Sequence, residues 1–219
     1  MGIAITILAG GRSLRFGQDK RFFNLYGKSL INIAIEKAKS LNLRTYLSVD
    51  NDFLTSAKSY PAYSIVDLYD LIVDDCPCNG PLGGIASTLK KIEEEKSLFI
   101  PVDMPFLPVE FLLFMKEKAQ YYEIMYSTIL GNAYPLPSLV SRIALKEIGN
   151  LLESHELALN RVFKIISQSY KTYFIDEETI SEFGDPNFIF HNINYMKDLE
   201  YHGREYENRM RRGLVFRGA

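Results

Sequence analysis

Several things are scarce in this chain of 219 residues, and each scarcity narrows its class. No apolar run approaches the roughly 20 residues that a membrane-spanning helix needs, so a helical span is not expected. No excess of positive charge exists: 25 Lys and Arg stand against 27 Asp and Glu, a net charge of −2. Without a broad basic field, nothing speaks for nucleic acid as a partner. Cysteine is limited to Cys76 and Cys78, too close together for an ordinary structural bridge. With no second pair they do not make a zinc motif either. His155, His191 and His202 show no metal-ligand spacing, and no Ser/His/Asp arrangement presents itself. Met1-Gly2 runs directly into an apolar stretch, which leaves no room for a secretory leader. A cytoplasmic protein with no membrane or nucleic-acid partner is the expectation.

What is present is ordinary for a globular domain: 47% hydrophobic residues, 24% charged, and length enough for a sizeable core. Ile3 to Leu8 is short, apolar and β-branched, and reads as a buried first strand. Ile31, Ile33, Ala34, Ile35, Ala38 and Leu41 draw a helix-like apolar face that begins near Ser29. Arg44 to Val49 reads as a second strand, Asp52 to Ser59 as a short helix, and Ser64 to Val66 and Leu71 to Val73 as short strands. After a break from Asp74 to Gly84, Ile85 to Glu95 reads as a helix and Ser97 to Val102 as a strand. Pro108 to Tyr121 reads as a helix with proline in its first turn. Glu123 to Leu130 and Ala133 to Leu136 read as paired strands turning at Gly131-Asn132. Pro137 to Ile148, Leu157 to Ser167 and Tyr195 to Glu207 read as helices, with a strand at Lys171 to Ile175.

Alternating strands and helices in the first half predict an α/β fold with a mostly parallel sheet. No repeat or linker divides the chain, so one domain over residues 1–203 is expected, followed by a tail over 204–219. That tail carries Arg204, Arg209, Arg211, Arg212 and Arg217; it reads as a frayed solvated end, or else as a contact for a partner or an anionic ligand.

The densest signal is Leu8-Ala9-Gly10-Gly11-Arg12-Ser13-Leu14-Arg15-Phe16-Gly17-Gln18-Asp19-Lys20. It lies where the first strand ends, the edge at which α/β sheets keep their ligands. Gly10 and Gly11 let backbone amides approach a ligand closely, and Arg12, Arg15 and Lys20 add positive charge. Glycines lined with cations suit a polyphosphate. Alone, Gly10-Gly11 would read as a tight turn. The familiar phosphate loops do not fit. Gly27-Lys28-Ser29 ends like a Walker A loop, but Phe22 stands where its first glycine belongs, and no Gly-x-Gly-x-x-Gly follows Leu8.

Three further constellations carry chemistry. Asp103, in Pro101-Val102-Asp103-Met104-Pro105, follows an apolar strand and is pinned by a proline at the same edge as the glycine loop. A hard Mg2+ takes one or two carboxylates and completes its shell with phosphate and water. As a helix cap, Asp103 stands too far before Pro108. Gly80-Pro81-Leu82-Gly83-Gly84 is either a second surface of backbone amides at a helix start or a plain βα turn. Asn192 and Asn194, one residue apart, point the same way if they lie on a strand. They either tie a loop down or read a polar ligand.

The pattern Leu-Ala-Gly-Gly-x-Ser-x-Arg-x-Gly-x-Asp-Lys over residues 8–20 resembles the signature of the molybdenum cofactor guanylyltransferases, the MobA family of nucleotidyltransferases. Phe16 stands where that family usually has methionine. The sister cytidylyltransferases typically read Leu-Ala-Ala-Gly and lack the Asp before the Lys, so Gly10 and Asp19 favour the guanylyl branch. The resemblance implies a three-layer, Rossmann-like α/β fold of the nucleotide-diphospho-sugar transferase type, its mostly parallel sheet flanked by helices. A nucleotide-binding half over about 1–105 and an acceptor half over about 106–203 go with it. It implies transfer of GMP from GTP to the phosphate of molybdopterin, with Mg2+ as cofactor. Transient contact with cofactor-insertion machinery or molybdoenzyme chaperones is implied as well.

By residue, the resemblance implies Lys20, Arg15 and Asp103 as catalytic, with Asp103 the metal ligand. Leu8, Ala9, Gly10, Gly11, Lys20, Asp50, Asp74 (or its neighbour Asp75), Gly80, Pro81 and Leu82 would surround the nucleotide. A carboxylate suits guanine, whose N1–H and N2–H2 are donors. Tyr134, Pro135, Arg161, Asn192 and Asn194 would border the acceptor. The alternatives are a cytidylyltransferase, another nucleotidyltransferase acting on a phosphorylated small molecule, or a non-catalytic nucleotide- or cofactor-binding protein.

Overall fold

Ile3–Leu8 forms β1, a strand buried on both faces, as a near-continuous apolar run in a parallel sheet should be. The computed structural model of the chain describes residues 2–10, 19–51, 53, 69–74, 80–155 and 158–194. Ile5 and Ile7 enter one apolar cluster while Ala4 and Leu8 enter a second on the opposite face, the alternation proper to a strand. β2 (Asn24–Leu25) and β3 (Lys28–Ser29) form a small antiparallel pair of their own. Ser29 then caps α1 (Leu30–Ser40), its Oγ accepting from the Asn32 N–H at 3.3 Å.

The chain continues through β4 (Arg44–Val49), β5 (Asp70–Val73), α2 (Pro81–Lys91), β6 (Lys96–Pro101) and α3 (Val109–Lys118). A hairpin of β7 (Ile124–Ile129) and β8 (Asn132–Ser141) follows, then α4 (Leu145–Glu153), α5 (Leu159–Ser169), β9 (Thr172–Ile175), α6 (Glu177–Ser181) and α7 (Pro186–Ile189). The seven-stranded sheet has the order β5-β4-β1-β6-β8-β7-β9, and β8 alone runs against the others. Residues of α1, α3, α6 and α7 join the cluster around Ile5 and Ile7, and those of α2, α4 and α5 the cluster around Leu8, which makes three layers. The chain leaves β1 toward β4 and returns to β6 on β1's other side, so the strand order reverses there. Such a reversal opens a crevice at the carboxyl ends of the strands.

Two expectations are overturned. The stretch 137–148 is not a helix: β8 runs on to Ser141 and the helix begins only at Leu145. β8 lies between β6 and β7, and two neighbouring ladders satisfy its backbone better than one helical turn would. Pro135 and Pro137 fall where the pairing jumps from Ser127↔Tyr134 to Tyr126↔Ser138, so neither has to supply a ladder N–H. The Asn192–Asn194 segment, in turn, is irregular backbone after α7; both asparagines are exposed and Ile193 between them is buried.

Smaller shifts have local causes. The hairpin turns at Leu130-Gly131, whose φ values of 49° and 75° fit a two-residue hairpin turn, one position earlier than expected. α2 starts at Pro81 rather than Ile85, because Gly80 caps it at φ 130° and proline tolerates the first helical position. The expected helices over 52–59 (Phe53 apart) and 195–207, the strand over 64–66, the tail, Cys76 and Cys78 lie outside the described residues. No helix among the described residues is long and apolar enough to cross a membrane.

Candidate active site

β1 and β6 are parallel neighbours with Leu8 opposite Pro101, so the segments that leave them emerge side by side. The Val102 N–H donates to the Leu8 carbonyl at 3.2 Å, continuing the pairing one step past the strand ends. Asp103 is the next residue. Its Oδ2 accepts from Lys20 Nζ at 2.6 Å, with the two side chains only 17% and 19% exposed. A sheltered pair of this kind feels less water screening than a surface pair yet stays within a ligand's reach. Behind it, Met104, Phe106 and Leu107 are buried, and Phe106 stacks on Phe188 of α7 with centroids 4.6 Å apart. The Ile193 N–H donates to the Asp103 carbonyl at 2.9 Å, which brings Asn192 and Asn194 to the same place.

Arg21, adjoining Lys20, organises the floor. It lies in the 3-10 turn Lys20–Phe22, capped by Asp19, and is 5% exposed. Its Nε and Nη2 grip Asp19 Oδ1 and Oδ2 at 2.7 and 2.6 Å. Its Nη1 donates to the Ala9 carbonyl at 2.8 Å and to Asp50 Oδ1 at 3.2 Å, and the guanidinium lies 4.7 Å from the Phe53 ring centroid. Burial works against the charge, but the Asp19 and Asp50 carboxylates outweigh it and hold the guanidinium above its ordinary pKa.

The structure distributes the other expected residues along this edge. Leu8 and Leu82 have buried side chains, and the Ala9 N–H is used on the Ser48 carbonyl at 2.8 Å. Gly10, Gly80 and Pro81 are exposed. Asp50 Oδ1 also accepts from the Phe53 N–H at 2.7 Å, so this carboxylate ends β4 and steadies the turn beyond it. Asp74 follows β5, its N–H on the Val49 carbonyl at 2.8 Å and its Oδ1 accepting from Ser87 of α2 at 2.8 Å. Tyr134, at the start of the reversed strand β8, meets the Phe190 ring edge-on at 6.0 Å, next to the Asn192 segment. Only Tyr170 and Lys171 separate α5 from β9, so the helix runs back against the strand and its first turn, with Arg161, faces the same end of the sheet. Gly11, Arg15 and Asp75 lie outside the described residues.

The reversed-order α/β sheet brings a lysine and an aspartate together at the carboxyl edge where such folds keep their ligands, and the chain is of the nucleotidyltransferase class. The family model of the MobA-like NTP transferase domain matches residues 5–171, and the chain belongs to that family. A probable molybdenum cofactor guanylyltransferase of Geobacillus sp. is 25% identical over 201 residues, 90% of this chain and 96% of its own length. One from Pelotomaculum thermopropionicum is 26% identical over 197 residues, 89% of this chain and 88% of its own. Among solved structures, molybdopterin-guanine dinucleotide biosynthesis protein A from Archaeoglobus fulgidus superposes with a TM-score of 0.74 at 20% identity, over 95% of this chain and all of that one. That likeness extends the expected three-layer architecture to a known fold.

Two residues of this site escape sequence reasoning. Arg21 has one cue, the Asp19 two positions before it. Lys37 has none: it sits on the apolar face of α1, and its Nζ donates to the carbonyls of Met104 and Pro105 at 3.3 and 2.5 Å, just behind Asp103.

Proposed function

We infer that this chain transfers GMP from GTP to the phosphate of molybdopterin, forming the guanine dinucleotide cofactor and pyrophosphate. The observation that carries the reading is the Lys20–Asp103 pair, 2.6 Å apart where β1 and β6 end, in a chain of the MobA-like family. The names of its curated relatives favour guanine and molybdopterin over other pairs of substrates.

A phosphate oxygen of the acceptor displaces pyrophosphate in line at the α-phosphorus, and no protein nucleophile is needed. Lys20 is assigned to the negative charge that grows on the α-phosphoryl and the leaving group, an electrostatic and positioning task. Arg15, outside the described residues, is the second cation assigned to it. Asp103 fits a magnesium ligand: it is a hard carboxylate at the strand edge. Among the described residues no cluster of three His, Cys, Asp or Glu side chains offers an all-protein cage. A site with one carboxylate, completed by phosphate and water, is the habit of Mg2+. When bound, the ion neutralises triphosphate charge. Asp74 and the Gly80-Pro81 turn are assigned to the guanosine end, and Tyr134, Pro135, Arg161, Asn192 and Asn194 to the acceptor.

Pyrophosphate release and thermal shift with GTP, CTP, ATP and UTP, each with Mg2+ and with or without molybdopterin, test the assignment. A preferred nucleotide raises the melting temperature by mass action. GTP is expected to give the largest shift, and release is expected only when molybdopterin is present. Preference for CTP would make the chain a cytidylyltransferase. Nucleotide binding without release under any condition would make it a binding protein.

A further inference from the structure

We propose that Arg21 is a positioning residue of the nucleotide subsite, which orients the Ala9–Gly10 peptide so that the Gly10 N–H faces the ligand. The inference rests on the nucleotide reading of this edge. A trans peptide is planar, with its C=O and N–H pointing in opposite directions. The Ala9 carbonyl is drawn inward onto the buried Arg21 guanidinium at 2.8 Å. The Gly10 N–H on the same peptide is therefore turned outward. Gly10 is exposed, and among the described residues nothing accepts from that N–H. The preceding N–H, that of Ala9, is already committed to the Ser48 carbonyl at 2.8 Å, so Gly10 presents the first ligand-ready amide after β1.

The orientation is held firmly because the arginine is held from several sides. Asp19 takes a two-pronged grip, Asp50 accepts at 3.2 Å, and Phe53 lies under the guanidinium. The ends of β1 and β4 and the turn that bears Lys20 meet on this one group. A rigid outward N–H is a donor for an oxygen of the nucleotide, and it needs no reorganisation when the ligand arrives. Lysine would not reproduce this, since its donors radiate from a single nitrogen, whereas the guanidinium meets both Asp19 oxygens, Asp50 and the Ala9 carbonyl from three nitrogens spread over a planar fork.

The test uses the full chain with Arg21→Met and Arg21→Lys. Four quantities are read: the melting temperature, kcat and KM for GTP in pyrophosphate release, and the Gly10 amide resonance of 15N-labelled protein titrated with Mg2+ and GTP. In the parent, the Gly10 resonance is expected to move on titration. In Arg21→Met, the response at Gly10 is lost and KM rises about tenfold while kcat changes by less than about threefold. Arg21→Lys regains most of the melting temperature but not the KM, a split that a merely structural role would not produce. If Arg21→Met does not fold, that split in Arg21→Lys decides alone. Parent-like KM in the variants, or KM that follows the melting temperature, overturns the role of Arg21. If no amide of the parent responds to nucleotide, the nucleotide reading falls and this inference with it.

Discussion

Lys37 Nζ, buried on α1, donates to the Pro105 carbonyl at 2.5 Å, so the segment carrying Asp103 is tied from behind to the helix that follows the glycine loop. Among the described residues no carboxylate pairs with it, and burial lowers the lysine from 10.5 to about 7. Between those two values the unfolded chain holds a proton that the folded chain has released, so stability rises with pH across this window. The parent is therefore expected to gain on Lys37→Met, in melting temperature, as pH goes from 6 to 9. Scanning calorimetry at both values checks it, and a constant difference would refute the buried titration.

Lys20→Ala and Asp103→Ala are each expected to lower pyrophosphate release by about 10³-fold, the scale of losing one preorganised charge-stabilising group. Both should retain the parent's near-ultraviolet circular dichroism, since the pair sits at an edge and not in the core. Turnover close to the parent's in either variant would remove that residue from the mechanism.

Chelation of divalent cations should stop release, and Mg2+ should restore it. Asp103→Asn keeps the size of the side chain but loses its charge. Its half-saturating Mg2+ is expected to rise by at least about tenfold, as for the loss of one charged ligand interaction. An unchanged Mg2+ requirement would place the metal ligand elsewhere.

Gly84 admits α2 close to the sheet. A Cβ there would stand 2.7 Å from Ser48 Oγ and 3.0 Å from Leu8 Cδ2. Gly84→Ala should cost about 1–3 kcal/mol in urea denaturation, the usual range for overpacking. Ser48→Ala removes the nearer obstacle, so the double variant should lose less than the two single losses added together. Simple additivity would mean that the helix moves aside freely.

Some of this molecule is legible in its sequence. β1 and β4 span the expected residues: β1 is apolar but for Thr6, as a strand buried in a parallel sheet tends to be, and β4 carries the β-branched and aromatic residues that suit a pleated surface. α1 was legible through its serine cap and apolar period, and Asp103 through the proline and strand around it. β8 was not. Its prolines and its Leu-Val pair suit several local structures, and only the ladders of β6 and β7 on either side make it a strand. Arg21 and Lys37 were illegible for a related reason: a cation reads as solvated until the elements packed over it are known.

Local chemistry alone thus made legible the glycine- and cation-rich sequence after β1, the aspartate two residues beyond Pro101 and the α/β alternation, since each depends on neighbours within a few positions. Which distant groups would meet was decided by the sheet. Placing Leu8 opposite Pro101 delivers Lys20 to Asp103 across 83 positions and folds the ends of β1 and β4 onto one arginine. Strand register is a property of paired backbones, and no single segment contains it.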